Sequence, residues 1–387
     1  MISSEDIHKI ITSYNLKDSR QVYLGSLGSH SALDVSSGAA DEGLRTVVTC
    51  KKGKEKSYVH HLNRQRGWEY VGCIDKVILL NNWNQLTSEE VQGTLRRLKT
   101  IFVPSRSMEV YLGHDVIENQ FKVPLLGNRE VLRIEERTGP YLIKNGHNQD
   151  YFIELAGLPR PKKFSSPSEI NTKVMVKATK AIGERHFQRA GDPFSGENLP
   201  FPTVSSPTEY DELCKKMMEQ GKTPEERDVI EKNFKGATIE EFLPGKTINM
   251  NFFQSVMNKD DKPYHGLELL GCDTRMQFPN GEEEVHVVLS LRESKLEDVM
   301  DMGMRFVEAV KKEYKRGIIG PFALQTIGNK EEKFAVIDVS PRIPGSPDTE
   351  ITPYTKYFFR EPVSFGRRIA MEIKEAILTE RLEEIVS

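Results

Sequence analysis

The chain is short of the features that announce most classes of function. Its 387 residues include four cysteines, Cys50, Cys73, Cys214 and Cys272, and no two of them form a CxxC pair. That argues against a cysteine zinc site and a disulfide framework, and it fits a reducing, cytoplasmic setting. No apolar run approaches the roughly 20 residues of a membrane span, so no membrane role is expected. The opening MISSEDIHKIITSY lacks the basic start and apolar stretch of a secretory signal. A net charge of −3 argues against a dedicated nucleic-acid binder. Two nucleotide fingerprints are also missing. There is no GxxxxGK followed by Ser or Thr, and the first domain has Gly25 and Gly28 but no GxGxxG. What remains is an ordinary globular composition, 37% hydrophobic and 29% charged, with room for two or three domains.

The most informative stretch that is present covers 321–345, PFALQTIGNKEEKFAVIDVSPRIPG. It reads as two apolar strands joined by a polar turn, each carrying one oxygen ligand. If 330–333 form the loop, Gly328 pairs with Ala335, Ile327 with Val336 and Gln325 with Asp338. Side chains directly opposed on an antiparallel pair stand about 4.5–5.5 Å apart at Cβ. Two oxygen groups that close can share one hard cation, because Mg²⁺ takes one or two carboxylates and completes its shell with phosphates. Arg342 follows four residues after Asp338, where it can meet further negative charge.

Upstream, strands alternate with helices. Strands are expected over 21–27, 45–50, 75–80, 100–104 and 123–126, and helices over 32–42 and 88–99, the second with Ser88 as N-cap. Such alternation predicts a doubly wound parallel sheet with ligands beyond the carboxyl ends of its strands. Two loops at those ends carry suitable groups. Gly28-Ser29-His30-Ser31 opens a helix, whose free N–H groups favour an anion, and Ser105-Arg106-Ser107 offers two hydroxyls and a guanidinium. Simple N-capping is the alternative for the serines.

A second domain is expected from about Asn128, with helices over 129–137 and 150–156 and a linker-like turn over 158–164. A strand over 172–177 ends in Lys177, followed by an irregular stretch, 178–207, read as a cover or an excursion. After a helix over 208–220 come strands over 238–243, 247–255 and 267–273, a long amphipathic helix over 294–314, and a final helix from 366 to near 385. Strands outnumber βαβ units, so this half is α+β.

These pieces suit nucleotide phosphoryl transfer. Lys177, beside a glycine-bearing loop, can neutralise phosphates. Alternation sends Glu240 and Glu241 to opposite faces, so one of them can hold a ribose hydroxyl. Gln325 and Asp338 supply the metal site, with Arg342 beside the transferring phosphoryl group. Positioning and charge neutralisation then do most of the catalysis.

The order Lys, loop, Glu-Glu before Pro-Gly, hairpin ligands and Arg, ending in Asp338-Val339-Ser340-Pro341-Arg342, resembles the ATP-grasp superfamily. More narrowly, LGSHSALDVSSGAADEGLRTVVTCKKGKEKSY, FKVPLLGNREVLRIEERTG, PRPKKFSSPSEI, LRESKLEDVMDMGMRFVEA, GPFALQTI and EPVSFGRRIAMEIKEAI are similar to the archaeal formate-dependent formaminoimidazole-carboxamide ribonucleotide synthetases of purine biosynthesis. The resemblance implies a pre-ATP-grasp domain, 1–127, and a two-lobed ATP-grasp domain, 128–245 with the lid and 246–387 with the metal site. It implies ATP, Mg²⁺ or Mn²⁺, formate and aminoimidazole-carboxamide ribonucleotide (AICAR) as small-molecule partners, and a homo-oligomer. Residue by residue, His30 and Ser107 map to nucleotide-substrate contacts and His286 to the substrate site. Glu240 or Glu241 and Gln277 map to ATP, and Gln325 and Asp338 to the metal. The sequence departs from the family at Ser105, where a histidine is common, in the glycine-poor AIGERHFQRAG, between Arg275 and Arg292, and at 341–346. Those departures leave room for a ligase acting on another carboxylate or amine, or for a nucleotide-binding protein without catalysis.

Overall fold

The computed structural model describes residues 2–135, 148–177, 202–221, 223–277, 284–329, 333–345 and 349–387. Among them, no helix is long and apolar enough to cross a membrane.

The first strands are β1 (Tyr23–Leu27), β2 (Arg45–Lys51), the short β3 (Arg64–Arg66) and β4 (Glu69–Val71), β5 (Lys76–Leu80) and β6 (Thr100–Phe102). β5, β2, β1 and β6 form one parallel sheet in that order, while β3 and β4 make a separate ribbon. Every residue of β1 is buried, as expected for a strand covered on both faces. The helix Ala32–Asp41 covers one side, and the helix Glu89–Arg97 is capped by Ser88, whose hydroxyl accepts from Val91 N. The expected fifth strand over 123–126 does not form. Leu125 makes a single parallel bridge to Phe102, and Leu126 an antiparallel one to Val386, so the chain tail takes up its ladder groups.

The second sheet holds β7 (Lys163–Phe164), β8 (Val174–Lys177), β9 (Thr203–Val204) and β10 (Thr238–Glu241) in the order β7-β10-β8-β9. The expected linker over 158–164 therefore contains an edge strand, with Ile239 opposite Phe164. Two helices, Pro207–Gln220 and Pro224–Lys235, cover this sheet, and the second has no counterpart in the sequence reading. The stretch 129–137 was expected to be α-helical. Arg129–Glu135 is a 3₁₀ helix, and Arg137 lies outside the described residues.

The third sheet is antiparallel, in the order β13-β12-β11-β14-β15, from β11 (Lys246–Gln254), β12 (Leu267–Gln277), β13 (Glu284–Leu289), β14 (Gly320–Gly328) and β15 (Phe334–Ser340). The helix Leu296–Glu313 packs on one face through Val299, Phe306 and Val310, which share a core with Met250, Leu324 and Val339. The last helix stops at Leu378. Glu380 turns with a left-handed φ of 55°, and a short helix, Leu382–Ile385, follows.

That terminal helix does not stay with the third sheet's core. Phe365, Ile369, Ala370 and Ile373 pack with Val22, Leu24, Val35 and Ala39 of the first unit. The crossing is close enough to need glycine on both sides. A Cβ on Gly38 would lie 1.9 Å from Arg367 N, and one on Gly366 2.0 Å from Asp34 O.

Candidate functional site

The third sheet packs one face on the helix Leu296–Glu313; its other face packs Phe253 and Leu270 on the helix Phe365–Leu378 and is polar beyond them, and that polar stretch builds the site. Met250 and Leu324 belong to the core, so their strand neighbours Asn249 and Gln325 point the other way. Register aligns Asp273 of β12, Asn249 of β11, Gln325 of β14 and Asp338 of β15 in one row across four strands.

The opposition of Gln325 and Asp338 is reached differently from the sequence reading. Near the turn, Gly328 pairs with Phe334 and Ile327 with Ala335, one residue out of the expected step. A register shift between Gln325 and Thr326 leaves Ile337 as an extra residue and restores the Gln325–Asp338 pair. Such a bulge bends the strand and re-aims the side chains beside it. Both residues are half-buried. Among the described residues no cluster of three His, Cys, Asp or Glu could hold a metal. The carboxylate of Asp338 and the carboxamide oxygen of Gln325 are nevertheless the hard donors a divalent cation takes when phosphates complete its shell. The donor pair fits such an ion.

Three strands away from Asp338, Asp273 is buried and anchored. Its Oδ2 accepts from Asn249 Nδ2 at 2.7 Å and its Oδ1 from Asn251 Nδ2 at 2.8 Å. His286 on the edge strand β13 brings its Nδ1 within 2.8 Å of the same Oδ2. The backbone of Gln277 continues β12 beyond this cluster; its side chain lies outside the described residues.

The second sheet supplies the other candidates. Lys177 is buried at the end of β8, with its Nζ 2.5 Å from Glu240 Oε2. Lys163, ion-paired with Asp150, approaches Glu240 Oε1 at 3.8 Å. Alternation separates the two glutamates as expected: Glu240 is buried, and the half-buried Glu241 accepts the backbone N–H of Lys162 at its Oε2. Of the irregular stretch expected over 178–207, 178–201 lies outside the described residues, while Thr203–Val204 is the strand β9 and Pro207 opens a helix.

The loops of the parallel sheet reach this half directly. The Ser29 and Ser107 hydroxyls are hydrogen-bonded to each other, joining the two strand-end loops. Ser31 is the N-cap residue with a φ of 66°, but its hydroxyl does not cap; it donates to Pro344 O at 2.8 Å. Ser105 forms a parallel bridge to Ile343. His30 is exposed and neighbours Gly345, where an added Cβ would stand 3.9 Å from its Nδ1.

Arg342 has a nearer partner than the sequence suggested. It is buried, with Nη2 2.7 Å from Glu135 Oε1 and Nη1 donating to Ile343 O. Arg106 lies 3.6 Å from the same Glu135 oxygen and donates to Glu109 at 3.2 Å. Burial opposes the Arg106 charge, yet Glu135, Glu109 and Asp338 together hold its pKa above the ordinary value. Burial, and next the charge of Glu135, push the Glu109 carboxyl well above its usual range, against the pull of Arg342 and Arg106. Two guanidinium and two carboxyl groups thus tie three chain segments together beside Asp338.

Asn249, Asn251, Asp273, Glu109 and Glu135 were not singled out by sequence. The signal for the asparagines was there: Thr247-Ile248-Asn249-Met250-Asn251 alternates polar and apolar residues ahead of Phe252 and Phe253. Glu109 and Glu135 carry no local signal.

A parallel sheet followed by two antiparallel lobes, with the polar row on the second lobe, defines an ATP-grasp fold. The structure of an IMP biosynthesis protein PurP from Thermococcus kodakaraensis superposes with a TM-score of 0.64 at 24% identity, covering 94% of this chain and 100% of that one. N5-carboxyaminoimidazole synthetase from Staphylococcus aureus complexed with ADP gives a TM-score of 0.55 at 10% identity, over 93% of this chain and 78% of that one. Residues 24–164 match a family model described as a protein of unknown function (DUF1246), and 216–285 and 279–387 match one described as a domain of unknown function (DUF1297). Over 406 residues and the whole of both chains, the sequence is 33% identical to the 5-formaminoimidazole-4-carboxamide-1-(beta)-D-ribofuranosyl 5'-monophosphate synthetase of Methanopyrus kandleri. The Methanocaldococcus jannaschii protein of the same name is 30% identical over 408 residues, again covering 100% of each chain. The chain belongs to this 5-formaminoimidazole-4-carboxamide ribonucleotide (FAICAR) synthetase family.

Proposed function

We propose that this protein is an ATP-dependent carbon–nitrogen ligase that formylates AICAR with formate, giving FAICAR, ADP and phosphate. The observation that carries the reading is the direct opposition of Gln325 and Asp338 on the polar face of an ATP-grasp sheet. A formate oxygen attacks the γ-phosphorus of ATP and the bond to ADP breaks, leaving formyl phosphate. The amine of AICAR then attacks the formyl carbon, the C–O bond to phosphate breaks, phosphate leaves with the electron pair, and the nitrogen loses a proton.

Each residue has a role in that sequence. Lys177 neutralises phosphate charge, Glu240 or Glu241 holds the ribose, and Gln277 serves ATP. Gln325 and Asp338 would hold Mg²⁺ or Mn²⁺, which when bound offsets the negative charge of the phosphates. His30, Ser107 and His286 bind the nucleotide acceptor. Arg342, reading phosphoryl charge beside Asp338, would do so by exchanging its ion pair with Glu135. The protein acts as a cytoplasmic homo-oligomer, which light scattering on the purified protein checks.

The test is ADP release measured with each component omitted in turn. ADP is expected only when ATP, a divalent ion, formate and AICAR are all present. Equal release with another carboxylate in place of formate would instead support a second reading, a related ligase with a different donor, and equal release with no carboxylate would contradict both. Ser105, where the family commonly has histidine, motivates that alternative, because it lies on the loop bridged to Ile343 beside the acceptor site.

A further inference from the structure

We infer that Asp273 is a positioning residue that fixes the ring orientation and tautomer of His286 for the acyl-transfer step; this rests on the reading above. A buried carboxylate is costly unless hydrogen bonds or charges compensate it. Asp273 meets that cost with carboxamide donors from Asn249 and Asn251, one to each oxygen, at 2.7 and 2.8 Å. All three residues sit on central strands of the sheet, so the carboxylate is held by the fold itself. His286 is different: it stands on the edge strand, with its side chain 27% exposed against 7% for Asp273. Its anchor to that rigid group is the 2.8 Å contact between Nδ1 and Asp273 Oδ2.

A carboxylate accepts, so the ring nitrogen facing it must donate. That puts the proton of neutral His286 on Nδ1 and leaves the lone pair on Nε2, at the far edge of the ring. As the acceptor amine forms its bond to the formyl carbon and phosphate departs, the proton lost from nitrogen passes to His286 Nε2. The row Asp273, Asn249, Gln325, Asp338 crosses three strand spacings, about 14 Å. From Gln325, the nearer metal ligand, to Asp273 it crosses two spacings, about 9.5 Å, which accommodates a phosphoryl group, a formyl carbon and an amine in line.

The experiment is Asp273→Asn in the full chain, which keeps the shape but removes the negative charge and exchanges one of the two acceptor oxygens for an N–H donor. Long-range ¹H–¹⁵N spectra of ¹⁵N-histidine protein, with His286 assigned by its loss in His286→Gln, report the tautomer without any substrate. At about pH 8.5, above the ordinary histidine range, the wild-type ring is expected to carry its proton on Nδ1 and the variant ring on Nε2. The kcat for FAICAR formation should fall on the order of 10²–10³-fold while KM for ATP stays within about twofold. Asn251→Ala, which loosens the anchor without touching His286, should cost about tenfold in kcat and supplies the readout should Asp273→Asn not fold. A wild-type His286 protonated on Nε2, or an Asp273→Asn protein with unchanged tautomer and kcat, overturns the inference. A wild-type protein with the expected tautomer but no formate- and AICAR-dependent ADP release instead overturns the functional reading.

Discussion

Gln325 and Asp338 stand opposite each other because β15 bulges at Ile337, between the turn and the site. In a regular ladder running from the turn, Ile337 would face Gln325 and Asp338 would turn to the apolar face opposite Leu324, since a one-residue slip reverses every side chain. Asp338→Ala is therefore expected to remove a metal ligand and leave the sheet intact. ATP turnover should fall on the order of 10³-fold with an unchanged far-ultraviolet spectrum. Retained turnover would remove the metal role.

Deleting Ile337 tests the bulge itself. The shortened strand runs from Val336 opposite Thr326 straight into Asp338 opposite Gln325, so a regular ladder keeps the donor pair but loses the bend at the bulge. Metal-dependent ATP turnover is therefore expected to fall less than in Asp338→Ala. A drop as deep as in Asp338→Ala would mean that the site needs the bend and not the opposition alone.

The Lys177–Glu240 pair is buried on both sides, so its two halves are not equivalent to remove singly. Lys177→Met leaves Glu240 with Lys163 at 3.8 Å as a weaker partner. A loss of about 3 kcal/mol in urea unfolding is expected, and adding Glu240→Gln should recover at least half of it. Both variants should lose ATP affinity, measured by titration calorimetry. Full affinity in Lys177→Met would take Lys177 out of the phosphate site.

Glu109 gives the junction a pH dependence. Its carboxyl is raised well above the ordinary 4.5, chiefly by burial, so the folded protein holds this proton more tightly than the unfolded chain. The stabilisation is complete below about 4.5 and is lost as pH rises through the higher folded value. Glu109→Gln should therefore melt higher than wild type at pH 8 and show a smaller gap at pH 5. Equal gaps at both values would contradict a shifted Glu109.

Where the helix Ala32–Asp41 crosses the helix Phe365–Leu378, Gly38→Ala places a methyl 1.9 Å from Arg367 N. Backbone cannot yield as a side-chain tip can, so a cost of about 3 kcal/mol is expected, seen as a lowered unfolding midpoint. Ser37→Ala, one residue away on the exposed side of the same helix, should change it by less than about 1 kcal/mol.

Much of this architecture was legible because local pattern and global burial agree. The strand read over 21–27 forms as the fully buried Tyr23–Leu27, with Gln21 left in the 3₁₀ helix before it, and Val299, Phe306 and Val310 mark the buried stripe of their helix. Lys177, Gln325 and Asp338 were visible as polar groups at strand positions that should be apolar. The rest depended on partners distant in sequence. Lys163–Phe164 is a strand because Ile239 and Glu240 offer it a ladder, which nothing in Pro159-Arg160-Pro161 reveals. The register shift at Ile337 is invisible in Phe334–Ser340, whose apolar run tolerates either step. Asp273 acquires its meaning from Asn249, Asn251 and His286 on two other strands, and Arg342 from Glu135, 207 residues upstream.

The most direct measurement follows one oxygen atom. With ¹⁸O-labelled formate, ATP and AICAR, attack of formate on the γ-phosphorus carries a formate oxygen into the phosphate that later departs. Mass spectrometry of the released phosphate is expected to find one ¹⁸O per molecule, formed in step with FAICAR and ADP. FAICAR accompanied by unlabelled phosphate, or ADP released with no FAICAR, would contradict a formyl phosphate built between Lys177 and Asp338.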